Sequence, residues 1–322
     1  MIILEIFRRK SFFSRMKIDD IEAFVAVVRC HSLSQAAQEL GLTQPVITRR
    51  IQSLEEVLGV ELLDRNTKPP KPTEIGLRVR EQCRAVLQEI DTLRELVAAD
   101  LPPSGGLRLG LTQGIGEVAL LDVLQDLRST WEGLSPQVAT GLSGRALLER
   151  VEREELDAAI VFLARGMQIP KSLEGRRLAS TRLVVVGRRA DWTRKQYTLA
   201  DCSAHGWALN PDGCGFRASL KRALAAQSLP FHVKLDTYGR DLQLQSVAQG
   251  QGLGLVPLPL LAHSAYRDAL AVVPVKDFKL SIDLWLAHGP ALGRRQDPVA
   301  RFGACVADIF ERLDAHAPGL AA

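Results

Sequence analysis

Gln44, Thr48, Arg49 and Gln52 recur at helical spacing, and each carries hydrogen-bonding groups that can read a nucleic-acid base edge. Amide and guanidinium groups on one helix face match the donor and acceptor pattern of the DNA major groove. The opposite face of the same segment, Val46, Ile47, Ile51, Leu54 and Leu58, is an apolar stripe that must be buried. Ser34 and Thr43 are read as hydroxyl caps of two successive helices. Gly41 ends the first of these helices, and Pro45 opens the second, where its missing N–H costs nothing. Ala36, Ala37 and Leu40 supply the packing face of the first. The spacing predicts two short helices joined by a tight turn, with Ser34, Thr43, Gln44, Pro45, Val46, Thr48, Arg49 and Gln52 facing DNA. Just downstream, Arg65, Lys68 and Lys71 occur without an acid among them, at a tip stiffened by Pro69, Pro70 and Pro72. A basic tip of this kind suits phosphate contact.

A second group of polar residues follows predicted strand ends in the remainder of the chain. Thr112 and Gln113 follow a strand at Leu107–Leu111, Ser143 follows one at Val138–Thr140, and Phe162 ends one at Ala158–Phe162. Gly213, Cys214, Phe216 and Arg217 lead into a helix, and Tyr238 follows a strand at Val233–Asp236. In open α/β lobes such positions converge on one cleft, where helix N-termini offer free N–H donors. The hydroxyls and the amide suit the polar head of a small ligand, and Phe162 and Phe216 suit its apolar part.

The elements that hold these residues follow from periodicity. Ile21, Phe24, Val25 and Val28 predict a first helix over about 19–30. Thr73 caps a long helix from about Glu74 to Ala99, in which Val79, Cys83, Val86, Ile90, Leu93 and Val97 are spaced 4, 3, 4, 3, 4. That is the seam of a helix paired with another helix, the alternative being intramolecular packing on its own domain. Its outer face carries Arg80, Arg84, Glu89, Asp91, Arg94 and Glu95. Leu101-Pro102-Pro103-Ser104-Gly105-Gly106 reads as a linker. Alternating strands and helices then predict parallel β-α-β units in two blocks. The second block holds strands near Leu183–Gly187, Trp207–Leu209, Val233–Asp236 and Leu253–Val256, and the chain returns with Ile282–Ala287 and a helix over about 298–313.

Ala36-Ala37, Leu40, Thr43-Gln44-Pro45-Val46, Thr48, Ile51, Leu54-Glu55, Leu58-Gly59, Leu62-Leu63, Arg65, Thr73 and Gly76 together resemble the winged helix-turn-helix of LysR-type bacterial transcriptional regulators. Leu156-Asp157-Ala158-Ala159-Ile160 resembles that family's entry to a strand, and the run from Val247 to Pro257 resembles its glycine-rich segment ending in proline. Glu154-Glu155 departs from the pattern, since a glycine usually stands there, and a slightly longer helix end is expected. The resemblance implies an N-terminal all-α winged helix-turn-helix over 17–73 and a linker and dimerisation helix over 74–99. It further implies a two-lobed periplasmic-binding-protein-like α/β effector domain over 106–313, with lobe I at about 106–178 and 275–313 and lobe II at about 179–274. The implied protein is a sequence-specific transcriptional regulator controlled by a small molecule bound between the lobes. Its implied partners are promoter or operator DNA, the effector, RNA polymerase and itself, as homodimer and homotetramer. An arginine near Phe162 in some relatives that respond to aromatic acids is missing here.

The net charge of +4 is too small to announce a nucleic-acid binder by itself, so the DNA reading rests on local placement. Five scattered cysteines with no C-x-x-C exclude a disulfide scaffold and a zinc site and favour a reducing cytoplasm. No apolar run is long enough for a membrane span, and residues 1–15 lack the core of a signal peptide. Met16 is read as the natural start. The six histidines show no metal or catalytic spacing, and no nucleophile elbow or phosphate-binding loop occurs. The reading is therefore of no enzyme, no cofactor and no metal. Two alternatives stay open. One is a redox sensor using Cys214, with Cys202 as partner. The other is a solute-binding or enzymatic protein on the same two-lobed fold, which would leave the N-terminal block unexplained.

Overall fold

The computed structural model describes residues 16–97, 102–211 and 214–315. It falls into two compact units, residues 1–101 and 102–322.

The first unit is built on three helices: α1 (Ile18–Cys30), α2 (Leu33–Glu39) and α3 (Gln44–Leu58). Phe24, Ala36, Ile47 and Leu54 are fully buried and form its centre, with Ile21, Val27, Val28 and Ile51 around them. Val25, expected in this core, is only partly buried, and Val27 takes its place. The cap of α2 is Ser32, whose hydroxyl accepts from the Gln35 N–H at 3.3 Å. Ser34 lies inside the helix and does not cap it. Thr43 occupies the cap position of α3 without a side-chain bond to the helix. Val46 is not part of the buried stripe; it is 38% exposed.

A two-stranded wing follows, β1 (Leu63–Asp64) antiparallel to β2 (Lys71–Pro72). Thr73 then caps α4 (Glu74–Val97), its hydroxyl accepting from the Gly76 N–H at 3.0 Å and donating to the Glu61 carbonyl at 2.9 Å. Gly76 is required by proximity, because a Cβ there would lie 2.1 Å from the Leu62 carbonyl oxygen.

The predicted seam of α4 divides. Cys83 is buried in the core of the first unit, with Val79 and Leu87 packed beside it. The intramolecular alternative therefore holds for the first turns. Val86 and Leu93 point outward, 44% and 63% exposed, and Ile90 is half-buried. The side chain of Val97 lies outside the described residues.

In chain order the second unit contains β3 (Gly105–Leu111), α5 (Gln113–Thr130), β4 (Leu134–Ala139), α6 (Gly144–Glu152), β5 (Ala158–Ala164) and β6 (Glu174–Arg188). It continues with α7 (Leu199–Ser203), β7 (Trp207–Leu209), α8 (Gly215–Ala226), β8 (Val233–Asp236), α9 (Arg240–Ala248) and β9 (Gly254–Pro257). It closes with α10 (Leu258–Ala262), β10 (Leu270–Val273), β11 (Leu280–His288) and α11 (Gln296–Ala315). Among the described residues, seven strands form one sheet in the order β10-β6-β11-β5-β3-β4, with β9 also on β6; β7 and β8 pair separately.

The parallel pairs are β3 with β4 and with β5, and β7 with β8. The strand β11 returns antiparallel between β5 and β6. The strand β6 is much longer than predicted. It runs alongside β11 in its first part and beside β9 and β10 in its last, so it passes the lobe junction expected near 178 without a break. One apolar core lies between the sheet and α5, α9, α10 and α11, and a second surrounds Trp207, Leu220 and Leu253.

The helix end at Glu154 is not lengthened. The helix stops at Glu152, and Glu154 itself adopts a left-handed conformation with φ of 58°, the role a glycine would fill.

Candidate functional site

The first site is the exposed front of α3. Burial of Ile47, Ile51 and Leu54 fixes the rotation of this helix, which leaves Thr43, Gln44, Pro45, Val46, Arg49 and Gln52 exposed and Thr48 partly so. The Ser34 hydroxyl donates to Gln44 Oε1 at 3.0 Å, which helps to orient the amide. Thr48 Oγ1 donates to the Gln44 carbonyl at 3.1 Å. The frame behind this face is polar. Arg50 pairs with Asp19 at 2.8 Å and Ser53 donates to Asp20 at 2.9 Å, tying α3 to α1.

Glu55, 7% exposed, joins α3 to the wing. One carboxylate oxygen accepts from the Leu62 N–H at 2.8 Å and the Leu63 N–H at 3.2 Å, and the other pairs with Arg65 at 2.6 Å. Arg65, expected among the DNA contacts, is 58% exposed and pairs with Glu55. Lys68 and Lys71 are exposed at the wing and, like Arg49, have no ion pair among the described residues.

The second site is a cleft with a cavity of about 90 Å³. Of the residues predicted from strand ends, Thr112, Gln113, Ser143, Phe162, Cys214, Phe216 and Tyr238 line it together. Gly213 lies outside the described residues. Arg217 is not in the lining. Its guanidinium pairs with Asp236, donates to the Asn210 carbonyl at 3.3 Å and stands over the Phe231 ring at 5.7 Å. The rings of Phe162 and Phe216 pack with centroids 5.9 Å apart, and Phe162 also packs on Phe310 at 5.8 Å. Leu142, Leu260 and Val256 complete the apolar wall. The Ser143 hydroxyl accepts from the Ala146 N–H at 3.2 Å and so caps α6.

Sequence reasoning missed Asn210, Arg240 and Gln243 in the same wall. The Arg240 side chain is 9% exposed. Its backbone N–H donates to Glu117 Oε1 at 3.0 Å, and its Nε lies 3.5 Å from Glu117 Oε2 and 3.1 Å from Asp241 Oδ1. Gln113 Nε2 donates to the same Glu117 oxygen at 3.1 Å. Gly239, with φ of 100°, lets Glu117 approach, since a Cβ there would lie 3.2 Å from its Oε1. Among the described residues, three polar atoms of the lining are buried without a hydrogen-bond partner: Thr112 Oγ1, Asn210 Oδ1 and Arg240 Nη1. Buried polar groups are normally satisfied, so three such atoms on residues of one lining stand out.

None of the five cysteines is in a disulfide, and they differ in environment. Cys202 is fully buried, and burial, aided by Asp201 and Asp277, pushes its thiol up to about 12. Burial alone pushes Cys83 up to about 11. Cys214 is partly exposed at the start of α8. Among the described residues there is no group of three or more His, Cys, Asp or Glu able to hold a metal, and no helix long and apolar enough to cross a membrane.

A helix-turn-helix with a wing, followed by an α/β unit with a ligand-sized cleft, defines a DNA-binding regulator with a sensory domain. Comparison with known families agrees. Residues 18–77 match the bacterial regulatory helix-turn-helix of the lysR family, and residues 100–308 match the LysR substrate binding domain. The chain belongs to the LysR family of transcriptional regulators, whose members bind DNA and small-molecule effectors and oligomerise rather than catalyse a reaction. It is 26% identical over 301 residues to a hydrogen peroxide-inducible genes activator of Pectobacterium carotovorum, covering 88% of this chain and 95% of that one. It is 25% identical over 313 residues to the DNA-binding transcriptional dual regulator OxyR of Escherichia coli K12, covering 94% and 97%. A full-length OxyR variant from Pseudomonas aeruginosa has the same fold, with a TM-score of 0.72 at 20% identity over 90% of this chain and 94% of that one.

Proposed function

We propose that this regulator acts in the cytoplasm as a homodimer, assembled into tetramers, and that a small organic effector in the cleft controls its action at promoters through contact with RNA polymerase. The proposed division is a DNA-binding head over 17–73, a dimerisation helix over 74–99 and an effector domain over 106–313. The observation that carries the effector reading is the trio of buried, unpartnered atoms, Thr112 Oγ1, Asn210 Oδ1 and Arg240 Nη1, on one cavity wall. Support for the dimer comes from the exposed Val86 and Leu93 on α4 and from the apolar groove beside them, lined by Met16, Ile21, Leu58, Ile75 and Val79. Base readout is assigned to Gln44, Val46, Thr48, Arg49 and Gln52, and phosphate contact to Lys68 and Lys71. The test is reporter transcription with candidate metabolites in wild type and Thr112→Val. Loss of the response with DNA affinity retained supports the cleft. An unchanged response refutes it.

A second reading is peroxide sensing at Cys214, favoured by its place in the cleft at the start of a helix and by the likeness to hydrogen peroxide-inducible activators. Cys202 is a poor partner, because a thiol pushed up to about 12 is protonated at neutral pH and only the thiolate attacks. A peroxide response lost in Cys214→Ser and kept in Thr112→Val favours this second reading.

A further inference from the structure

The three orphan atoms specify more than occupancy. Arg240 Nη1 can only donate, Asn210 Oδ1 can only accept, and the Thr112 hydroxyl can do either. A ligand that satisfies all three must offer an acceptor oxygen and an N–H or O–H donor together. A simple carboxylate has acceptors alone and would leave Asn210 Oδ1 buried and unmet.

Charge points the same way. Arg240 is the one cationic side chain in the lining among the described residues, and it already faces the carboxylates of Glu117 and Asp241. The N-terminus of α9, where an anion would otherwise be favoured, is taken by Glu117 through the Arg240 N–H. The starts of α5 and α8 also border the cleft, and their N–H groups serve a carbonyl oxygen as well as a carboxylate. A bound anion would add a third negative charge beside one guanidinium in a half-enclosed site, where screening is weak. The apolar wall of Phe162, Phe216 and Leu260 accommodates a ring or short hydrocarbon.

We infer that the cleft takes an uncharged ligand of the carboxamide class, its carbonyl oxygen on Arg240 and its N–H on Asn210, with Thr112 bonding whichever group lies nearer. This inference rests on the cleft being the effector site. It also makes Arg240 and Asn210, rather than the predicted Arg217, the residues that choose the ligand.

The experiment is calorimetric titration of the full chain with three probes sharing one ring. Benzamide is neutral with donor and acceptor, methyl benzoate is neutral with acceptors only, and benzoate is an anion with acceptors only. Benzamide should bind at least tenfold tighter than either of the others, and Asn210→Ala should remove that advantage while thermal unfolding stays unchanged. Arg240→Gln keeps a donor without charge, so it should weaken benzamide by less than tenfold. Benzoate binding as tightly as benzamide would overturn the carboxamide class and leave the cleft as the effector site. No binding of benzamide would also overturn it, and the cleft itself would then be judged by the separate reporter response of Thr112→Val.

Discussion

Replacing Glu55 by alanine tests how the recognition helix and the wing are joined. The carboxylate is buried and satisfies the Leu62 and Leu63 N–H groups, on residues that are fully buried and 5% exposed. An unsatisfied buried donor costs about 1–3 kcal/mol. The partner Arg65 is 58% exposed, so its ion pair adds only about 0–1 kcal/mol. Water reaching the vacated space relieves part of the loss, which leaves about 3 kcal/mol, or roughly a hundredfold in the local opening equilibrium. Glu55→Gln keeps an oxygen for both N–H groups and should lose less than about 1 kcal/mol. Amide hydrogen exchange at Leu62 and Leu63 reads the opening directly, and operator affinity reads its consequence. Protection at Leu62 in Glu55→Ala within threefold of wild type would refute the reasoning.

Four further outcomes are expected. Arg49→Ala should relax preference at one base of each half-site, at about 1–3 kcal/mol, whereas Lys68→Ala should weaken all sequences alike and reduce the salt slope by roughly one; binding-site selection and salt titration separate them. Leu93→Asp should dissociate the dimer with the head intact, while Cys83→Asp should unfold the head, as sedimentation and circular dichroism would report. Glu154→Gly should stabilise the second unit by about 0.5–1 kcal/mol by removing left-handed strain, measured by urea unfolding. The Arg301 side chain bonds Asp126 at 2.6 and 2.8 Å and holds its carboxyl below the ordinary value. The stability this pair lends is therefore full above about pH 4 and fades as pH falls through the lowered value. Asp126→Asn should flatten the acid limb of the unfolding profile.

The head was legible because its signals are local. A Thr-Gln-Pro start, a glycine stop and a helical stripe lie within a few residues of one another. The choice between Ser32 and Ser34 as the cap was not legible, since both flank Leu33 and only packing decides. The seam on α4 misled for a related reason: a 4-3 spacing shows that a face is apolar but not which neighbour covers it, and α1 takes Val79 and Cys83. The first part of β6 escaped notice because Glu174, Gly175, Arg176 and Arg177 are exposed and carry no apolar alternation. The cleft was found by counting strand ends, which located seven of its lining residues. Arg240 was missed although Tyr238 stands only two residues before it. Its orientation depends on Glu117, 123 residues away in the chain.

The unbroken run of β6 has a mechanical consequence. Its early residues lie beside β11, which in turn pairs with β5, and its late residues pair with β9, so both sides of the cleft are fastened to one hydrogen-bonded ribbon. A movement of one side against the other would change the coil of the sheet, like the two ends of a leaf spring. The ladder is locally interrupted at Leu284 and Trp285, where the register between β11 and β6 slips. A bend concentrated there would be passed along the strands to β10 and β4 at the outer margins of the sheet.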